Sequence, residues 1–151
     1  MKDIRIVAMV LLVMGYLSGC SKSEDGGTPP AQPLPPANTQ EAEPNDSSPQ
    51  ALGTLGSSDI VLRGSSASTG DVDRYSIVLG GTANLFASIA FTSGDLDLAV
   101  QNSSGITLTF RDTGTQPEKC TLTARSAGTY IIQVTSKTAS ATEYNLTVGP
   151  R

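Results

Sequence analysis

The chain has 151 residues, with 10 Lys and Arg against 14 Asp and Glu, a net charge of −4, and hydrophobic and charged fractions of 38% and 16%. Such a chain has no footprint for nucleic acid, whose binding needs clustered Lys and Arg to displace counterions, and it is neither a highly charged disordered protein nor a multi-span membrane protein. There is no histidine and there are only two cysteines, which excludes Ser-His and Cys-His nucleophile pairs, the commonest zinc ligand and any disulfide framework.

Residues 1–19 carry Lys2 and Arg5, then an apolar run from Ile6 to Gly15, then Leu17-Ser18-Gly19 before Cys20. This is the layout of a signal peptide, with Asp3 an unusual acid in its positive region. The apolar run is about ten residues, whereas a permanent membrane helix needs roughly twenty, so a retained transmembrane helix is the weaker reading. The tetrapeptide LSGC resembles the lipobox of bacterial lipoproteins. That resemblance implies a diacylglycerol and a palmitate-like acyl chain on Cys20, which becomes the first residue of the mature protein and anchors it to a membrane. Ser21 is not the aspartate that accompanies inner-membrane retention in many such proteins, so the resemblance implies the outer membrane. Cleavage before Cys20 removes Lys2, Arg5 and Asp3 and leaves no polybasic patch, so the lipid must hold the protein alone.

The segment 20–40 contains five prolines and two glycines after Cys20 and almost nothing apolar to bury. It reads as a linker, since such a composition cannot recover its ordering entropy in a core. Its prolines favour extended polyproline II, which reaches at most roughly 60 Å over about twenty residues. A proline-rich recognition ligand at Pro33-Leu34-Pro35-Pro36 is the sharper alternative.

Residues 41–151 are long enough to bury one core without disulfides. Apolar residues recur at every second position in Tyr75-Ile77-Leu79, Leu85-Ala87-Ile89-Phe91, Leu96-Leu98-Val100, Cys120-Leu122-Ala124, Tyr130-Ile132-Val134 and Tyr144-Leu146-Val148. Each set covers one face of a strand. Turn signals separate them at Gly80-Gly81, Ser93-Gly94-Asp95, 102–105, 112–117 and Ala127-Gly128. The pattern predicts an all-β domain, a single antiparallel β-sandwich of about eight strands, jelly-roll-like, with no amphipathic helix. Cys120 shares its face with Leu122, which predicts a small buried hydrophobe rather than a reactive thiolate. Tyr75, Tyr130 and Tyr144 fall on apolar faces and are expected in the core.

The densest chemistry lies in two short stretches, Glu41-Ala42-Glu43-Pro44-Asn45-Asp46 and Asp71-Val72-Asp73. Hard oxygen donors of this kind suit calcium, which takes six to eight oxygen ligands, better than magnesium with its strict geometry. If the stretches meet, mutual repulsion is relieved by a divalent cation, which then stabilises the fold by mass action. The bland alternative is that Asn45 and Asp46 make turn hydrogen bonds while the glutamates are solvated.

Together the segments EAEPNDSSPQA (41–51), GDVDRYSIVL (70–79), GDLDLAV (94–100), AGTYIIQV (127–134) and EYNLTV (143–148) resemble the bacterial pre-peptidase C-terminal domain. This is a β-sandwich appended to secreted proteases and other exported proteins. Collagen-binding relatives hold calcium with the segments that match EAEPND and GDVDRY, so the resemblance implies Glu41, Glu43, Asn45, Asp46, Asp71 and Asp73 as ligands. Collagen binding itself does not carry over, because it relies on exposed aromatics. Asp95 and Asp97 are the pair that glycoside hydrolysis would need, but their alternation with Leu96 and Leu98 reads as a solvated edge.

No catalytic residue stands out. The sequence therefore reads as a membrane-anchored, non-catalytic envelope lipoprotein whose sandwich serves a protein or extracellular polymer ligand. The alternatives are a hydrolase of unknown substrate, or a folding or stability aid for an exported partner.

Overall fold

A computed structural model describes residues 33–151. The leader, Cys20 and most of the linker therefore lie outside the described residues. Among the described residues there is no helix long and apolar enough to cross a membrane.

Ten strands follow in order among the described residues: β1 (Thr39–Gln40), β2 (Gln50–Thr54), β3 (Ile60–Ser66), β4 (Val72–Leu79), β5 (Ala83–Phe91), β6 (Leu96–Asn102), β7 (Thr107–Arg111), β8 (Glu118–Arg125), β9 (Gly128–Ser136) and β10 (Thr142–Gly149). They form two five-stranded sheets with orders β1-β3-β10-β5-β8 and β2-β4-β9-β6-β7. Within β3–β10 every pairing is antiparallel. Those eight strands make two four-stranded layers in jelly-roll order, the architecture that the alternating pattern predicts. The strand count is ten rather than eight because β1 and β2 add to one edge of each sheet, and both pair in parallel. The sheets are thus mixed. β1 has only two residues, and β2 is interrupted by Gly53, where the register shifts, so neither shows a period of two.

The alternating residues fill the space between the sheets. Leu62, Tyr75, Ile77, Leu85, Ile89, Leu96, Leu98, Ile132, Tyr144, Leu146 and Val148 are fully buried in one cluster. Each large apolar side chain buried this way contributes about 1.5–3 kcal/mol. Cys120 lies in the same cluster, where burial raises its thiol above the ordinary value and keeps it unreactive. Ala124 does not continue the Cys120 and Leu122 face. It is exposed, with φ of 49°, at an irregularity where Arg125 pairs Ala83 but Leu122 pairs Leu85.

Four connections, 67–71, 92–95, 112–117 and 137–141, pass between the layers at one pole of the sandwich. The segment 41–46 crosses the same pole. Packing also extends upstream of residue 41: Pro35 O accepts from Asn145 Nδ2 at 2.7 Å and from Arg63 Nη2 at 3.1 Å, and Glu41 N donates to Arg63 O at 2.8 Å.

Candidate metal centre

The pole holds the two acidic stretches together. On β4 the inward alternation that places Tyr75, Ile77 and Leu79 in the core continues back to Asp73, which is 1% exposed. A carboxylate thus occupies the last inward position of the strand, at the mouth of the core. Across the gap, β10 presents Tyr144 inward beside Leu146 and Val148. Its ring lies over Gly64, its register partner on β3. A Cβ at Gly64 would stand 2.5 Å from Tyr144 Cζ, so glycine is required to seat that ring.

Segment 41–46 closes the mouth. Glu41 Oε2 accepts from Ser65 N at 2.8 Å, which fixes the carboxylate against β3. Glu41 Oε1 accepts from Asn45 Nδ2 at 2.9 Å, from the Tyr75 hydroxyl and, at 3.2 Å, lies within reach of the Tyr144 hydroxyl. Asn45 N donates to Glu43 Oε2 at 2.8 Å, and Arg74 donates to the carbonyl of Asp46. Asp71 Oδ2 accepts from Ala67 N at 2.5 Å. Oxygens of Glu41, Glu43 and Asp73 lie within 4.8 Å of one another, as do those of Asp46, Asp71 and Asp73. All six residues singled out from the sequence converge here, with Asp73 shared by both groups. Asn45 is fully buried and bonds to Glu41 and Glu43 rather than serving only as a turn residue, whereas Asp46 and Glu43 are exposed.

Protons are scarce in this cluster. Tyr144 OH stands 2.6 Å from Asp73 Oδ2 and 2.5 Å from Tyr75 OH. With Asp73 ionised, two phenol protons serve four close oxygens: the two phenol oxygens, Glu41 Oε1 and Asp73 Oδ2. Burial, then the charges of Glu41, Asp71 and Glu43, raise Asp73 to about 7 despite the Tyr144 hydrogen bond that opposes the rise. Burial also pushes both phenols upward, reinforced by the Glu41 bond at Tyr75 and by the nearby Tyr75, Asp73 and Glu41 at Tyr144, so both stay protonated. Two further oxygens, Asn45 Oδ1 and Asp73 Oδ1, are buried with no hydrogen-bond partner. Buried polar atoms are nearly always paired, so an unpartnered amide oxygen and an unpartnered carboxylate oxygen together mark a place where a cation fits. The donor set of five carboxylates and one amide is all oxygen, as calcium prefers.

The tyrosines and Gly64 were not among the sequence-predicted site residues. Their signal was present in Asp73-x-Tyr75, two residues apart and therefore on one face of the strand. The partner Tyr144 sits on a distant strand and becomes visible only when the sheets are paired.

A second acidic group, Asp95, Asp97 and Asp112, lies at the same pole. Asp97 is not solvated, as the alternation suggested. It is 2% exposed, and its Oδ2 pairs with Lys137 Nζ at 3.0 Å. Burial raises Asp97 above the ordinary carboxylate range against the pull of Lys137, and Asp97 in turn raises Lys137.

Residues 71–136 match the bacterial pre-peptidase C-terminal domain. The match runs from Asp71 to the end of β9 and leaves segment 41–46 outside it. Among solved structures, the pre-peptidase C-terminal domain of a collagenase from Bacillus anthracis is similar at 14% identity and a TM-score of 0.56, over 72% of this chain and 99% of that one. The sandwich fold is thus shared with that domain. A periplasmic inhibitor of g-type lysozyme from Aeromonas hydrophila aligns at 16% identity and a TM-score of 0.49, over 69% of this chain and all of the other. No curated protein matches the chain.

Proposed function

We propose that this protein is a lipid-anchored, non-catalytic module of the cell envelope whose sandwich is stabilised by calcium at the mouth of its core and serves a protein or polymer partner. The observation that carries the calcium reading is the pair of buried, unpartnered oxygens, Asn45 Oδ1 and Asp73 Oδ1, among five carboxylates. Glu41, Glu43, Asn45, Asp46, Asp71 and Asp73 would hold the ion, which supplies charge neutralisation rather than a reaction.

Four of these residues, Glu41, Glu43, Asn45 and Asp46, belong to the segment that joins the linker to the sandwich, so a bound ion ties the tether to the domain. The anchoring reading rests on LSGC and the leader before it. The non-catalytic reading is supported by the lack of histidine, by phenols at the site that are held protonated, and by the burial of Cys120 in the core. Thermal denaturation of the full chain in calcium and in chelator tests the metal, and Cys20→Ser tests the anchor. That variant is expected to leave the membrane fraction for the soluble one and to lose acyl mass; retention at the membrane with the substitution would refute lipid anchoring.

A further inference from the structure

The carboxylates Asp95, Asp97 and Asp112 have no part in the centre at the core mouth. They lie on the outer side of the second sheet, around its edge pair. The register that pairs Leu98 with Arg111 puts Asp112 opposite Asp97 one residue further on. Like charges directly opposite across an antiparallel pair destabilise it. Asp95 adds a third, all three offering oxygens within 4.8 Å of one another. Independently of that proximity, the nearly fully buried Asp97 keeps one carboxylate oxygen, Oδ1, with no partner, and Asp95 Oδ1 is buried and unpartnered too.

The carboxylates sit on pinned backbone rather than on free loops. Asp95 O accepts from Lys137 N at 3.0 Å, and Asp95 N donates to Thr138 Oγ1 at 2.6 Å. Gly94, with φ of 79°, lies so close to Thr138 that a Cβ there would collide with it. On the other side, the buried Glu118 holds the loop that follows Asp112, its Oε1 accepting from Thr113 N at 2.7 Å and Thr113 Oγ1 at 2.9 Å. The only ammonium on the cluster among the described residues is that of Lys137, on Asp97 Oδ2. One positive charge against three carboxylates leaves two negative charges, the complement of a divalent cation.

We propose that Asp95, Asp97 and Asp112 form a second divalent-cation site for a hard ion such as calcium, with Lys137 as the resident cation that competes with it. The site is separate from the centre at the core mouth and does not depend on it. Calorimetric titration of calcium into the full chain tests the proposal through exposed residues that the fold tolerates. Asp112→Asn is expected to remove about one equivalent of calcium, or weaken it about tenfold, while melting in chelator is not lowered and rises slightly as the opposed charge on Asp97 is relieved. Lys137→Gln is expected to tighten the same equivalent about tenfold, because the competing charge is gone.

Binding lost in Asp71→Asn but unaltered in Asp112→Asn would leave the core-mouth centre standing and overturn this site. The reverse pattern would support this site and overturn the other, and a full chain that takes up no calcium would overturn both. Lys137→Gln that lowers the melting temperature equally with and without calcium, at unchanged affinity, would make Lys137 a structural ion pair and refute the proposal.

Discussion

The two carboxylate clusters at the loop pole solve the same electrostatic problem with different means. On the outer face of the sheet, Asp97 is buried beside Asp95 and Asp112 but has an ammonium from Lys137 on one oxygen. At the core mouth, Asp73 is buried just as deeply, with four other carboxylates nearby, and its partner is the neutral phenol of Tyr144. A phenol satisfies one lone pair but brings no charge. The core mouth therefore carries more uncompensated negative charge, and burial together with that charge raises Asp73 to about 7.

The contrast between the two clusters is most sensitive to pH. The folded chain without metal holds a proton on Asp73 that the unfolded chain releases near 3.8, so this contribution to stability is present below about pH 4 and is lost as pH rises towards 7. The loss is of order 4 kcal/mol at most. Chemical denaturation in chelator across that range is expected to show stability falling with pH, and Asp73→Asn is expected to flatten the slope. An equally steep slope in the variant would place the proton elsewhere.

A smaller effect follows from the seat of Tyr144. Gly64→Ala forces a Cβ against that ring and should cost about 3 kcal/mol, with loss of the core-mouth share of the calcium response, because the ring carries the hydroxyl that orders Asp73. Smaller again, Tyr144→Phe keeps the ring but removes the hydroxyl, leaving Asp73 without its donor. A cost of about 2 kcal/mol in chelator is expected. Calcium should recover part of it, since an ion on the carboxylate replaces what the phenol supplied. If calcium recovers nothing, Asp73 does not face the ion.

Much of this was legible in the chain. The period of two in β4, β5, β6, β9 and β10 gave the sandwich, and the stretches around Glu41 and Asp71 gave the six oxygen donors that meet at one pole. What was hidden has physical reasons. β1 and β2 are too short or irregular to carry a period, and they pair in parallel with strands far along the chain. Asp97 reads as solvated because alternation predicts only which face a residue takes. It does not reveal that Lys137, forty residues on, covers that face.

The thermal response of the full chain to calcium tests the core-mouth centre most directly. At a hundredfold excess over the dissociation constant, binding to the folded state alone adds about 2.7 kcal/mol, or about 10 °C in melting temperature for a domain of this size. The predicted result is a rise of that order in calcium over chelator that Asp46→Ala and Asp71→Asn, each made in an Asp112→Asn background that silences the second cluster, abolish. An unchanged melting temperature in the unsubstituted chain, or a rise that survives undiminished in both of those double variants, would contradict it.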